Sequence, residues 1–213
     1  MPTGAATRPD ALRRRGLLLA ALTVAWNAVE AVVAIAVGLA AGSIALVGFG
    51  FDSTIEVLSA CVVAWQFRSE LAGGYDADRE RRALRLIAVT FFVLAGYVFV
   101  EALRDLLVVD GQPDQAPIGI ALAAVSLAVM PTLAWAKHRT ADRLGSPTLR
   151  ADATQTLLCS WLSAALLAGL GLNAAVGWWW ADPLAALAIA GFAAHEGLEI
   201  LRDDHHDHDD ATR

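Results

Sequence analysis

The sequence predicts an all-α integral membrane protein, a bundle of six transmembrane helices with both termini in the cytoplasm. Three observations carry that expectation. The 213 residues are 57% hydrophobic and only 18% charged, with a mean hydropathy of +0.52, which is too apolar for an ordinary soluble domain. The apolar residues gather in runs long enough to cross a bilayer as helices of about 20 residues. Of the 16 Lys and Arg, only Arg104 falls on the outer side. The others flank the N-terminus, the second and fourth loops and the C-terminus, which places those segments in the cytoplasm.

Residues 1–15 form a basic N-terminal segment with the charged start of a signal peptide. The apolar run from Gly16 to Val37 is too long for a signal core and lacks a cleavage site, so it reads as the first span. Its interior carries Asn27 and Glu30. A second span runs from Ser43 to Phe67 and ends at Arg68, followed by a polar loop with a Gly73-Gly74 break. A third covers 82–107, and a fourth runs from Pro117 to Lys137, kinked near its end by Pro131.

Ser146-Pro147 is an N-cap followed by Pro at the first helical position, and opens a fifth helix reaching Asn173. Asp182-Pro183 repeats the device after Trp178, Trp179 and Trp180, and opens a sixth ending at Arg202. Trp65 and Trp135 then lie near the inner interface and the Trp178–Trp180 cluster near the outer one, where amphipathic rings settle. Residues 16–202 thus make one transmembrane domain. Residues 203–213 read as a disordered tail, in which His205, His206 and His208 make either a loose metal collector or part of a solvated acidic end.

Several function classes drop out. The net charge of -6 comes from acids in the 74–80 loop, the 105–114 loop and the tail, and there is no basic groove with interleaved aromatics, so nucleic acid is not a partner. Cys61 and Cys159 lie inside apolar runs, which points to packing or soft ligation rather than a disulfide. There is no nucleophile with an attendant base, no Gly-rich phosphate loop and no Cys-x-x-Cys pair, so an enzyme is not expected.

The chain is organised around GFGFDSTIEVLSA, residues 48–60. Asp52 and Glu56 are four apart in the second span and share a helix face. Each carboxylate at bilayer depth costs roughly 2.5–3.5 kcal/mol on insertion scales. With no Lys or Arg in the middle of any span, a mobile cation or proton is the simplest partner. On the fifth helix Asp152, Gln155 and Cys159 have spacings of three and four and also share a face. Facing each other, the two helices would offer two carboxylates, an amide oxygen and a thiol, with Asp152 nearby on the cytoplasmic side. Such groups ligate divalent transition metals, the thiolate favouring softer ones such as zinc or cadmium. The alternative is that Gln155 and Cys159 only bind neighbouring helices. Glu30 stays open between a relay and a local hydrogen bond. Glu101, His195, Glu196 and Glu199, nearer helix ends, read as structural.

GSIALVGFGFDSTIEVLSA (42–60) and LRADATQTLLCSWLSAALLAGLGLN (149–173) resemble the second and fifth transmembrane helices of the cation diffusion facilitators, and WWWADPLAALAIAGFAAHEGLEILRD (178–203) resembles their sixth. The resemblance implies six transmembrane helices, a homodimer in the inner or plasma membrane, and export of zinc or a related divalent cation in exchange for protons. The metal is then the transported substrate and no cofactor is permanently bound. In that family metal sits between paired His/Asp-x-x-x-Asp motifs on helices two and five. Asp52 and Glu56 fall on the first pair, Gln155 and Cys159 on the second, and Asp152 on the acid that often precedes it. The sequence departs from the pattern where Gln155 and Cys159 replace His and Asp, which removes the imidazole. It also lacks the family's cytoplasmic metal-binding domain, leaving dimerisation to the membrane helices. Those departures keep two other readings open: a membrane metal sensor or accessory subunit without transport, and a structural partner whose acids meet another subunit's basic helix.

Overall fold

Each apolar run becomes a helix, and all secondary structure among the described residues is α-helical. The computed structural model describes residues 8–41, 44–107, 117–176 and 181–211. Its elements are α1 (Arg8–Ala41), α2 (Ile44–Gly73), α3 (Ala77–Leu107), α4 (Pro117–Leu144), α5 (Pro147–Val176) and α6 (Ala181–Ala211). They run from 28 to 34 residues, well over the ~20 that cross a hydrocarbon core. By length and composition α1, α2, α3 and α4 each contain a segment able to cross a membrane.

The helices outrun the expected spans. α1 begins at Arg8, taking in Arg13, Arg14 and Arg15, and α4 continues through Pro131 and Lys137 to Leu144. The second extension matters for the site. The Ser146 device is present as expected: Ser146 Oγ accepts the Leu149 N–H at 3.3 Å, and Pro147 is the first residue of α5. Just ahead of it Gly145, at φ 69°, closes α4 in the left-handed conformation that glycine tolerates, and the amides of Gly145 and Ser146 both donate to the Ala141 carbonyl, at 2.7 and 3.2 Å. α6 begins at Ala181, ahead of Asp182-Pro183. The Trp178–Trp180 cluster lies outside the described residues, as do the side chains of 203–213 with His205, His206 and His208.

α1 packs chiefly on α2, α3 on α6 and α4 on α5, while α2 and α3 both reach α5 at the centre. Gly50 permits the α1–α2 approach: a Cβ there would sit 2.6 Å from Ile35 Cγ1 and 3.1 Å from the Ala31 carbonyl oxygen. Ile55, Phe67, Phe91, Leu94, Leu149 and Leu158 fill the main apolar core. Where α1 begins and α2 ends, Arg13 Nε donates to Glu70 Oε2 at 2.6 Å, and Gln66 Nε2 donates to Glu70 Oε1 at 2.9 Å and Glu80 Oε1 at 3.3 Å. Beside them, in the loop, the Tyr75 hydroxyl donates to Glu80 at 2.8 Å.

The distribution of polarity is inverted relative to a water-soluble bundle. Leu22, Val29, Val32, Val89, Val93 and Val100 face outward, while Thr23, Asn27, Glu30, Ser53, Ser59, Ser126 and Thr156 are buried. Apolar outside and polar inside is the arrangement that a lipid solvent favours, because lipid cannot satisfy a polar side chain. Trp65 and Trp135 are exposed, and the Arg139 guanidinium lies 5.2 Å from the Trp135 ring centroid.

Candidate metal centre between α2 and α5

Spacings of four and three on α2 (52, 56, 59) recur on α5 (152, 156, 159), and the two helices meet as a polar ladder. The Asp52 carboxylate lies against the Cys159 thiol. One turn along, Glu56 faces Cys159 and the Thr156 hydroxyl. At the next rung the Ser59 hydroxyl donates to Asp152 Oδ1 at 3.0 Å. As the residue numbers rise along α2 they fall along α5, so the pair runs antiparallel.

Asp52, Glu56, Asp152, Gln155 and Cys159 are all buried, at 4% exposure or less. They are not equally available. One Asp52 oxygen, both Glu56 oxygens and the Gln155 amide nitrogen have no hydrogen-bond partner. Burying a carboxylate oxygen unpartnered is costly. Gln155 turns towards α3, where its Oε1 accepts from the Thr90 hydroxyl at 3.0 Å. Asp152 is held on both oxygens: Oδ1 takes the Ser59 bond, and Oδ2, which accepts no hydrogen bond, is ion-paired 2.8 Å from Lys137 Nζ of α4, with neither side chain exposed.

Lys137 is the residue that sequence reasoning misplaced. Assigned to the membrane surface as the last residue of the fourth span, it is instead wholly buried, and Nζ also donates to Thr156 Oγ1 at 2.8 Å. The positive charge also acts on Glu56. The expectation that no basic side chain enters the interior therefore fails at one point. The cause is the length of α4, since Lys137 stands two turns inside a helix that continues to Leu144. Thr156 was missed too: the face that α5 turns to α2 reads 152, 156, 159, and Gln155 sits at its edge. Among the described residues, no three His, Cys, Asp or Glu side chains converge into a metal cage in this conformation.

Two more acids border the ladder. Glu30 of α1 is fully buried, accepts from Ser53 Oγ at 3.1 Å through Oε2, and has no partner on Oε1. Glu101 of α3 lines, with Asp52, Gly48 and Tyr97, a cavity of about 80 Å³. A second cleft of about 400 Å³, lined by Ser146, Arg150, Thr154, Glu196 and Glu199, lies by the α4–α5 turn. His195 and Glu199, 3.2 Å apart and both exposed, form a local contact on α6.

Comparison with known proteins agrees with this architecture. The model of the cation efflux transmembrane domain matches residues 84–206. An uncharacterized transporter of Synechocystis sp. is 30% identical over 168 residues, covering 76% of this chain and 54% of that protein. Transmembrane protein 163 of Xenopus laevis is 29% identical over 94 residues, 44% of this chain and 33% of its own length. The chain thus spans about half of the first relative and a third of the second. A match to the transmembrane domain over more than half of its residues, on an inside-out helical bundle, makes this chain a multi-pass membrane protein that belongs to the cation efflux family.

Proposed function

We propose that the protein exports a divalent metal cation, with zinc the first choice, in exchange for protons, through a midplane site between α2 and α5. All six helices span the inner or plasma membrane in this reading, with both termini in the cytoplasm. The observation that carries it is the set of unpartnered carboxylate oxygens on Asp52 and Glu56, buried against Cys159. Asp52, Glu56 and Cys159 supply the anionic ligands, and Gln155 stands beside them with a neutral amide.

Competition drives the exchange. Carboxylates and a thiolate must lose their protons to ligate a metal, so loading releases protons and protonation expels the ion. Rocking of α2 against α5 draws the ligands together on loading and opens the site alternately to each side. Asp52 lines a cavity of about 80 Å³ together with Glu101, which supports access for an ion at that end of the site. The family match and the transporter among the relatives support the efflux reading, and a second copy of the chain completes the expected homodimer.

The test is zinc flux into proteoliposomes holding the purified protein, with and without an imposed pH gradient. Saturable uptake that the gradient accelerates supports exchange. Zinc binding without flux would instead support the sensor or accessory-subunit reading.

A further inference from the structure

We propose that Lys137 is a tethered counter-cation that withholds Asp152 from the ion path and lowers the negative charge of the α2–α5 site by one. The inference rests on the efflux reading above. Lysine is almost never fully buried unless it is paired, and here its ammonium is held between Asp152 Oδ2 and Thr156 Oγ1, each at 2.8 Å. Asp152 spends its other oxygen on Ser59 Oγ at 3.0 Å. The helix that carries the charge, α4, thereby reaches the ladder between α2 and α5.

The charges then add up simply. Asp52, Glu56 and Asp152 are three buried carboxylates and Lys137 is one buried ammonium. Ionised, the carboxylates and the ammonium sum to two negative charges, and a Cys159 thiolate adds a third; without Lys137 each total would be one charge more negative. Glu56 keeps both oxygens unpartnered although it feels the Lys137 charge, so it stays available to an incoming ion. Were the ammonium removed, Asp152 would become a third carboxylate beside the site. The donor set would gain a further carboxylate oxygen beside the thiolate, a shift towards harder ions such as manganese.

Titration calorimetry of zinc and of manganese into the purified full-length protein tests this, using Lys137→Met, Asp152→Asn, the two combined, and Asp52→Asn/Glu56→Gln. Asp152→Asn frees the ammonium to compete at Glu56 and should weaken zinc about tenfold or more, on the scale of coupling between close buried charges. The combined variant, which has no stranded charge and is therefore the one that keeps the bundle folded, should recover most of that loss. Lys137→Met alone should raise manganese affinity relative to zinc by about tenfold, following the harder donor set. A combined variant as weak as Asp152→Asn would overturn the inference by making Asp152 a ligand. Zinc binding unchanged in all three would overturn it by making the pair purely structural. Wild-type protein that binds neither metal, or Asp52→Asn/Glu56→Gln protein that binds as wild type does, would instead sink the efflux reading itself.

Discussion

Lys137 Nζ lies 2.8 Å from Asp152 Oδ2, with both side chains wholly shielded, and the contact ties α4 to α5 two turns inside the bundle. Breaking one half of a buried pair strands the other charge and typically costs ~3–5 kcal/mol, whereas replacing both halves with neutral groups is close to neutral. Lys137→Met and Asp152→Asn should each lower the thermal unfolding midpoint in detergent. The combined variant should unfold nearer to wild type than either. Simple addition of the two losses would show that the pair is not coupled.

The two cysteines should behave oppositely. Cys61 is exposed and Cys159 is 1% exposed against two carboxylates. A maleimide small enough to enter detergent micelles should label Cys61 in the folded protein and reach Cys159 only after denaturation, as mass spectrometry of the peptides would reveal. Cys159→Ser replaces a soft donor with a hard one and should cost zinc and cadmium about tenfold more affinity than manganese. Equal losses for all three metals would remove Cys159 from the ligand set.

Most of the fold was legible because lipid imposes a simple rule, apolar runs of membrane length, and the runs at 43–67 and 117–137 stand out whatever surrounds them. The α2 half of the site was legible for the same reason, since Asp52 and Glu56 interrupt an apolar run. The α5 half was harder. Spacings of three and four fit both 152, 155, 159 and 152, 156, 159, and only packing against α2 and α3 decides that Thr156 faces Glu56 while Gln155 turns to Thr90. Lys137 was illegible because a lysine at the end of an apolar run normally reaches water by its flexible stem. Here the helix carries on beyond it, and Asp152 with Thr156 waits on the neighbouring helix.

Gly50 should resist substitution. Any Cβ meets Ile35 Cγ1 at 2.6 Å and the Ala31 carbonyl at 3.1 Å, and the backbone cannot yield as a side chain can. Gly50→Val is expected to cost ~1–3 kcal/mol, the usual range for overpacking, and to push α2 away from α1. Since α2 carries Asp52 and Glu56, metal affinity should fall along with the unfolding midpoint. A stable variant with weakened binding would place the effect in the site rather than in packing.

Tyr75, in the loop between α2 and α3, donates its hydroxyl to Glu80, and that bond pushes its pKa up to about 12, with burial and the Glu80 charge adding to it. The folded protein holds this proton more tightly than the unfolded chain, whose tyrosine titrates near 10. The contribution to stability is therefore complete below pH ~10 and is lost as the pH climbs through about 12. Absorbance of tyrosinate against pH should show a late-titrating group that Glu80→Ala brings down towards the ordinary value. An unchanged titration in that variant would contradict the bond's role.

The most direct test of the central claim is zinc flux into proteoliposomes under a pH gradient, comparing wild type with Asp52→Asn/Glu56→Gln. Two buried carboxylates, with three oxygens that accept no hydrogen bond, are proposed as the ion's seat, so wild type should transport and the double variant should fall to the level of empty liposomes while remaining folded. Equal, gradient-driven transport by both proteins would contradict the account.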